Sequence, residues 1–359
     1  MEELNGTDLP VIDLSLFSSK NVDQNQLESH EFNKLRQACQ ELGFFLVINH
    51  GVDATLIQSV ECRIRDMFAL PAEIKNRAIF PIFNTGYGPS VVDDVAKDSI
   101  PENMSFPWDH LLPNSVEKIS AKLWPQGNPA FCEELNAYGA QIKELSHRIL
   151  KLLVWSLGVD VSSQSASELF EKSFGNVRMN YYDKCTDKEM ISKAHTDVSF
   201  FTILYQDDIG GLQIRTKQGK WMDSKPLPGS FVINVGDILQ IALFREEFFL
   251  NINKSLSNQS IEWLRGSAEA LRPLSPTIMW SNGRNRSAEH RVVYGRSNRN
   301  RLSMAYFFDL PDEFEIRCPK EMIDQEHPQL YKVVTKGDTV AYFKKVGPNM
   351  ATPQHFRLQ

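Results

Sequence analysis

The second half of this chain limits its fold more than anything else in the sequence. After residue 175, short runs of β-branched and aromatic residues alternate with turn signals: Asn180-Tyr181-Tyr182, Phe200–Tyr205, Gly211–Ile214, Ser230–Val235, His290–Tyr294 and Leu302–Phe307. Many short strands at close spacing point to a sandwich or barrel. The first half has a different texture. Leu9–Leu14 reads as a short strand, residues 31–42 as a helix stopped by Gly43, and Phe44–Ile48 as a buried strand. Asn49-His50-Gly51 turns the chain, with His50 in a structural role. Residues 53–69 carry Leu56, Val60, Ile64 and Phe68 on one helical stripe. Residues 79–128 are rich in Pro, Gly, Asn and Ser and are expected to be long loops with short strands. Residues 130–157 form the longest helix candidate, and Gly158 is its expected stop.

Composition excludes several functions. Of 359 residues, 42% are hydrophobic and 23% charged, which is a globular balance. The net charge is −6, which argues against a nucleic-acid partner bound through a broad basic surface. No apolar run reaches the roughly 18 residues of a membrane helix. The N-terminus is acidic and polar, without the pattern of a secretory signal. Five cysteines lie scattered without a CxxC pair, as expected for reduced thiols in the cytoplasm.

The chemistry lies in pairs spaced by two. His195-Thr196-Asp197 puts an imidazole and a carboxylate on one face of an extended strand. His290 opens a later strand. Two histidines and one carboxylate make a facial triad, which leaves open positions on a metal and suits non-haem Fe(II). A His-x-Asp tripeptide alone is weak evidence, but two more pairs follow the same rule. Arg301 and Ser303 offer a guanidinium and a hydroxyl, a good receptor for a carboxylate. Asn180 and Tyr182 offer an amide and a phenol. Together the three pairs suggest a metal beside a dicarboxylate.

These residues sit in longer stretches: LPVIDLS at 9–15, ELGFFLVINHGV at 41–52, AHTDVSFFTILYQD at 194–207, GSFVINVGDILQ at 229–240, WSNGR at 280–284, SAEHRVV at 287–293 and NRLSMAYFF at 300–308. In that order the chain resembles the plant 2-oxoglutarate- and Fe(II)-dependent dioxygenases over most of its length. The resemblance implies an α+β, mainly β fold: a double-stranded β-helix (jelly roll) core with an α-helical N-terminal region. It implies His195, Asp197 and His290 as iron ligands. Arg301, Ser303 and Tyr182 would hold the distal carboxylate of 2-oxoglutarate, with Asn180 beside it. The expected reaction consumes O₂, releases succinate and CO₂, and oxidises a small organic substrate, most often by hydroxylation. Ascorbate is the expected reductant. Tyr87, Phe200 and Phe307 are candidate substrate contacts. The implied organisation is an N-terminal dioxygenase region at 1–125, a supporting helix and linker at 126–175, the catalytic jelly roll at 176–310 and a C-terminal segment at 311–359. A cytoplasmic monomer with no nucleic-acid or membrane partner is expected.

One stretch departs from the family pattern. Residues 241–279 separate Gln240 from Trp280, where the family continues almost directly. The insertion lengthens the path from His195 to His290 to 95 residues. It reads either as a relic, such as translated intron sequence, or as an added lid with a helix near 261–271. Two alternatives to the 2-oxoglutarate-using enzyme stand at this point: a jelly-roll protein inactivated by the insertion, and an iron oxidase that does not use 2-oxoglutarate, since that branch of the family also carries an Arg-x-Ser pair.

Overall fold

The structure is a computed structural model. It describes residues 9–17, 29–81, 85–88, 101–108, 112–160, 162–184, 190–191, 194–239, 285–294, 297–323, 325, 328–329 and 332–346. The insertion at 241–279, with the helix expected near 261–271, lies outside the described residues.

Apolar stripes at helical spacing become helices with polar caps. Helices α1 (His30–Glu41), α2 (Ala54–Phe68), α5 (Pro129–Ser156) and α6 (Gln164–Lys172) start at Ser29, Asp53, Asn128 and Ser163. Each of these side chains accepts a hydrogen bond from a backbone N–H of the first turn, which stabilises a helix by about 1 kcal/mol. Helices α3 (Ala72–Lys75), α4 (Ser115–Leu123) and α7 (Lys336–Val346) complete the described set. No helix among the described residues is long and apolar enough to cross a membrane. Gly43 ends α1 at a φ of +70°, and its N–H reaches back to the Ala38 carbonyl. A Cβ there would lie 1.9 Å from the carbonyl oxygen of Arg286, so only glycine fits.

The strands are β1 (Val11–Asp13), β2 (Phe44–Ile48), β3 (Gly86–Gly88), β4 (Glu102–Trp108), β5 (Phe174–Tyr182), β6 (Met190–Ile191), β7 (Phe201–Gln206), β8 (Leu212–Arg215), β9 (Trp221–Ser224), β10 (Phe231–Val235), β11 (His290–Tyr294), β12 (Arg301–Asp309), β13 (Glu315–Ile316) and β14 (Val334–Thr335). An eight-stranded sheet runs in the order β1-β2-β10-β7-β12-β5-β4-β3. A four-stranded sheet runs β6-β11-β8-β9, and β13 pairs with β14. The two larger sheets form the jelly roll of an α+β protein. The N-terminal half is part of it, because β1 to β4 extend both edges of the large sheet.

Residues 79–128 hold more regular structure than their composition suggests. β4 is a seven-residue strand zipped to β5, and α4 follows it. The turn-like residues Asn103, Ser105 and Pro107 alternate with Met104 and Phe106, which lie in the main core. Pairing and burial on one face override the weak strand propensity of the other.

That alternation organises the whole large sheet. Phe45 and Val47 of β2, Ile203 of β7, Ile233 of β10, Val177 and Met179 of β5, and Leu302, Met304, Tyr306 and Phe308 of β12 share one core with Leu135, Tyr138, Ile142 and Ile149 of α5. Rings of Phe201 and Phe308 stack there with centroids 4.6 Å apart. The other face carries Asn103, Arg178, Asn180, Tyr182, Thr202, Gln206, Asn234, Arg301, Ser303, Ala305 and Phe307. One face of the sheet is apolar throughout; the other holds a polar chamber beside a second apolar cluster, where Phe44, Leu46, Leu204 and Val232 pack with Leu212 and Ile214 of β8.

Candidate metal and co-substrate site

His195 and His290 meet backbone to backbone at the start of β11. They form an isolated antiparallel bridge, with the N–H of His195 donating to the His290 carbonyl at 3.0 Å and the reverse bond at 2.9 Å. Their rings lie 4.4 Å apart. Asp197 does not continue a strand, as the spacing alone suggests. The bridge is followed by a bend over Val198–Phe200, yet the carboxylate still turns back to both imidazoles. Asp197 Oδ1 lies 3.6 Å from His290 Nε2 and 3.8 Å from His195 Nε2. Ligand atoms of all three lie within 4.8 Å of one another. Metal bonds of about 2.1 Å at right angles separate neighbouring ligand atoms by roughly 3 Å, a difference that small side-chain rotations close.

The surrounding groups aim these atoms. Asp197 Oδ2 accepts hydrogen bonds from Thr202 Oγ1 at 2.6 Å and Asn234 Nδ2 at 2.8 Å, which turns Oδ1 toward the histidines. His290 Nδ1 lies 3.2 Å from the Ala288 carbonyl oxygen, so donation there leaves Nε2 with a free lone pair that a metal could take. The edge of the His290 ring packs on Phe44. Asp237 ties the pieces together. It accepts from Thr196 Oγ1 at 3.0 Å and from Ser287 Oγ at 2.7 Å, and its N–H donates to the Asp197 carbonyl at 2.7 Å. Asp237 and Ser287 lie on either side of residues 241–279, so their bond holds the two flanks of the insertion together. Gly236 permits this turn, since a Cβ there would lie 2.0 Å from the Ser199 carbonyl oxygen. Burial, with His195 alongside, pushes the His290 imidazole down to about 4 and keeps it neutral. Burial works to raise the Asp197 carboxyl, but the two imidazoles, Thr202 and Asn234 outweigh it and hold it below the usual carboxylate range.

Farther along the same face lies Arg301, fully buried at 0% exposure. Its Nε donates to the Gly210 carbonyl, its Nη1 donates to Ser303 Oγ at 3.2 Å, and the guanidinium lies 4.8 Å from the Tyr182 ring centre. Its Nη2 has no hydrogen-bond partner, and no carboxylate pairs with it among the described residues. A buried charged donor left unmade costs about 1–3 kcal/mol or more, so an anion bound here would be stabilised. Asn103 Nδ2 and Gln206 Oε1 are also buried without partners on this face. The register sets Arg301 against Tyr182, and Ser303 against both Asn180 and Gln206. The triad chemistry and the unfilled guanidinium both fit an Fe(II) ion with a bound dicarboxylate.

The three aromatic candidates separate. Phe307 is half-buried on the chamber face, beside Thr202 in register. The Tyr87 phenol donates to Glu102 Oε2 at 2.7 Å, and its ring lies over Lys75. Phe200 belongs to the core: it is fully buried against Phe201 and Phe308 and offers a ligand no surface. The bend before β7 breaks the alternation that would have aimed it at the chamber. Sequence reasoning missed Thr202, Asn234 and Asp237. It also missed Arg178, although Arg178, Asn180 and Tyr182 extend the same spacing of two.

Comparison with known proteins agrees with this geometry. Residues 9–127 match the family described as the N-terminal part of non-haem dioxygenases in morphine synthesis, and residues 173–249 match the 2OG-Fe(II) oxygenase superfamily. A flavonoid 7-O-demethylase of Ocimum basilicum is 32% identical over 343 residues, covering 94% of this chain and 77% of that protein. Codeine O-demethylase of Papaver somniferum is 32% identical over 333 residues, covering 90% and 78%. The crystal structure of a rice dioxygenase for auxin oxidation superposes with a TM-score of 0.73 at 26% identity, covering 98% of this chain and all of that one. The 2-oxoglutarate complex of an auxin-oxidising dioxygenase from Arabidopsis thaliana gives a TM-score of 0.66 at 25% identity, covering 89% of this chain and all of that one.

The chain belongs to the plant 2-oxoglutarate- and Fe(II)-dependent dioxygenases. It is an oxidoreductase whose cofactor is Fe(II) and whose co-substrates are 2-oxoglutarate and O₂.

Proposed function

We propose that His195, Asp197 and His290 hold the iron, and that Arg301, Ser303 and Tyr182 bind the distal carboxylate of 2-oxoglutarate, with Asn180 beside it. The observation that carries this reading is the convergence of the three ligand atoms within 4.8 Å, although the histidines lie 95 positions apart in the chain. When bound, the iron couples the oxidative decarboxylation of 2-oxoglutarate to oxidation of the substrate. The protein's own groups orient and exclude water. Thr202 and Asn234 fix the Asp197 carboxylate, Ala288 fixes the His290 tautomer, and Arg301 offers a pre-placed N–H to an anion.

The organic substrate is read as a small plant metabolite, and its oxidation as hydroxylation, with ascorbate as the reductant. Phe307 and Tyr87 are its proposed contacts. Arg178 lies on the chamber face opposite Ala305, where a cation favours a substrate with an acidic group. Along the chain, residues 1–125 and 126–175 would brace the sheet, 176–310 would carry the chemistry, and 311–359 would close its C-terminal side. A net charge of −6 and free thiols at Cys39, Cys62, Cys132 and Cys318 support a cytoplasmic monomer without a nucleic-acid or membrane partner.

The test is succinate formation coupled to oxidation of a candidate metabolite. His195→Ala and Asp197→Ala are expected to abolish both, and full turnover in either variant would refute the ligand assignment. Activity persisting without 2-oxoglutarate would contradict the role given to Arg301.

A further inference from the structure

The C-terminal helix reaches the metal-binding loop through one buried side chain. Lys336 opens α7 and is 3% exposed. Its Nζ donates to the Val198 carbonyl at 2.9 Å and pairs with Asp309 Oδ1 at 2.5 Å. Val198 follows Asp197 in the chain. Asp309 is the last residue of β12, the strand that carries Arg301 and Ser303. The base of the helix is fixed independently. The Lys336 N–H donates to the Phe314 carbonyl at 2.9 Å and the Gly337 N–H to the Asp312 carbonyl at 2.8 Å. Asp338 Oδ2 accepts from both Thr335 N and Thr335 Oγ1. The lysine therefore projects from an anchored end, not from a freely hinged one.

A buried ammonium needs a counter-charge, and Asp309 supplies it. Neutralising Asp309 does not require a third partner in the loop next door. The Val198 carbonyl lies in the bend that aims Asp197 at the histidines, a stretch with no strand ladder of its own. Neighbouring bonds hold that bend at Asp197, Ser199 and Phe200, whose carbonyls accept from Asp237, Ile238 and Gly236. At Val198 the bond comes from Lys336.

We infer that Lys336 is a positioning residue for the metal centre: α7 holds the Asp197 loop in its ligating shape through the Lys336–Val198 hydrogen bond. This rests on the reading of Asp197 as a metal ligand. The experiment uses Co(II) as the probe, titrated into the full-length apoprotein, with visible absorption and the thermal midpoint read separately. Lys336→Met strands a half-buried carboxylate, so the informative variant is Lys336→Met/Asp309→Asn, which removes both charges. It is expected to recover the thermal midpoint yet bind Co(II) about 10–100-fold more weakly, with an altered absorption band. Lys336→Arg, which keeps a charged donor, is expected to restore most of the affinity. If the double variant binds Co(II) as the wild type does, Lys336 only neutralises Asp309 and the inference is overturned. If wild-type binding is itself unaffected by His195→Ala, the ligand reading fails first, which is a distinct result.

Discussion

Replacing Arg301 with methionine should move stability and ligand response in opposite ways. In the ligand-free protein the guanidinium is wholly buried, with one N–H unpaired. That arrangement costs about 1–3 kcal/mol, against which the bonds to Gly210 and Ser303 and the contact with Tyr182 work. Methionine is apolar and of similar length, so the apoprotein should stay within about 1.5 kcal/mol of wild type. Binding is another matter. Losing a charge-assisted hydrogen bond to a carboxylate removes about 1.5–3 kcal/mol, so Kd for 2-oxoglutarate should rise by about 100-fold. At a ligand concentration 100 times the wild-type Kd, wild type gains about 2.7 kcal/mol from ligand, and the variant only about 0.4 kcal/mol. Thermal melts with and without 2-oxoglutarate, run with Co(II) present, measure both quantities. Co(II) affinity itself should change less than about threefold, since no bond joins Arg301 to the triad. A variant that loses more than 3 kcal/mol as apoprotein, yet is still stabilised by 2-oxoglutarate like wild type, would show that Arg301 is a structural residue and that the reasoning is wrong.

Other expectations follow from the same geometry. Thr202→Val removes the bond to Asp197 Oδ2 and should weaken Co(II) binding about 10–100-fold while leaving the fold intact by circular dichroism. Deleting residues 242–279 should preserve Co(II) binding and the thermal midpoint, because Asp237 and Ser287 hold the flanks together; loss of both would mean the inserted stretch is needed. His50 and His147 are held neutral chiefly by burial, so their folded pKa values lie below the unfolded value of about 6.5. Each contributes fully above that pH, and the contribution is lost as pH falls from there toward the folded pKa. Urea midpoints should therefore drop between pH 7.5 and 5, and less so in His147→Phe. Arg178→Gln should raise KM for an acidic substrate about tenfold or more without changing Co(II) affinity.

The proposed metal ligands and the proposed carboxylate-binding arginine were visible in the sequence because their chemistry is scarce. Imidazoles, a carboxylate and a guanidinium recurring in or beside apolar strands, in several pairs at the same spacing, have few other uses. Thr202, Asn234 and Asp237 were not visible, because a threonine or asparagine in a strand is common and becomes meaningful only when its partner is known. Phe200 was misjudged for a related reason. Alternation assigns faces along a straight strand, but the bend over Val198–Phe200 resets it. β4 was hidden by the polar residues of its chamber face, which look like loop when read one by one. Helices α6 and α7 are short, and their apolar stripes cover too few turns to stand out.

The large sheet works as a two-sided ledge, with each strand contributing residues to both sides in turn. Evolution can therefore rewrite catalytic preference at the chamber positions that neither aim Asp197 nor line the Arg301 pocket, while leaving the load on the helices untouched. A laboratory library restricted to Asn103, Arg178, Gln206, Ala305 and Phe307 should explore new chemistry at little risk to folding. The same number of changes at Val177, Met179, Ile203, Met304 and Phe308 should mostly yield insoluble protein.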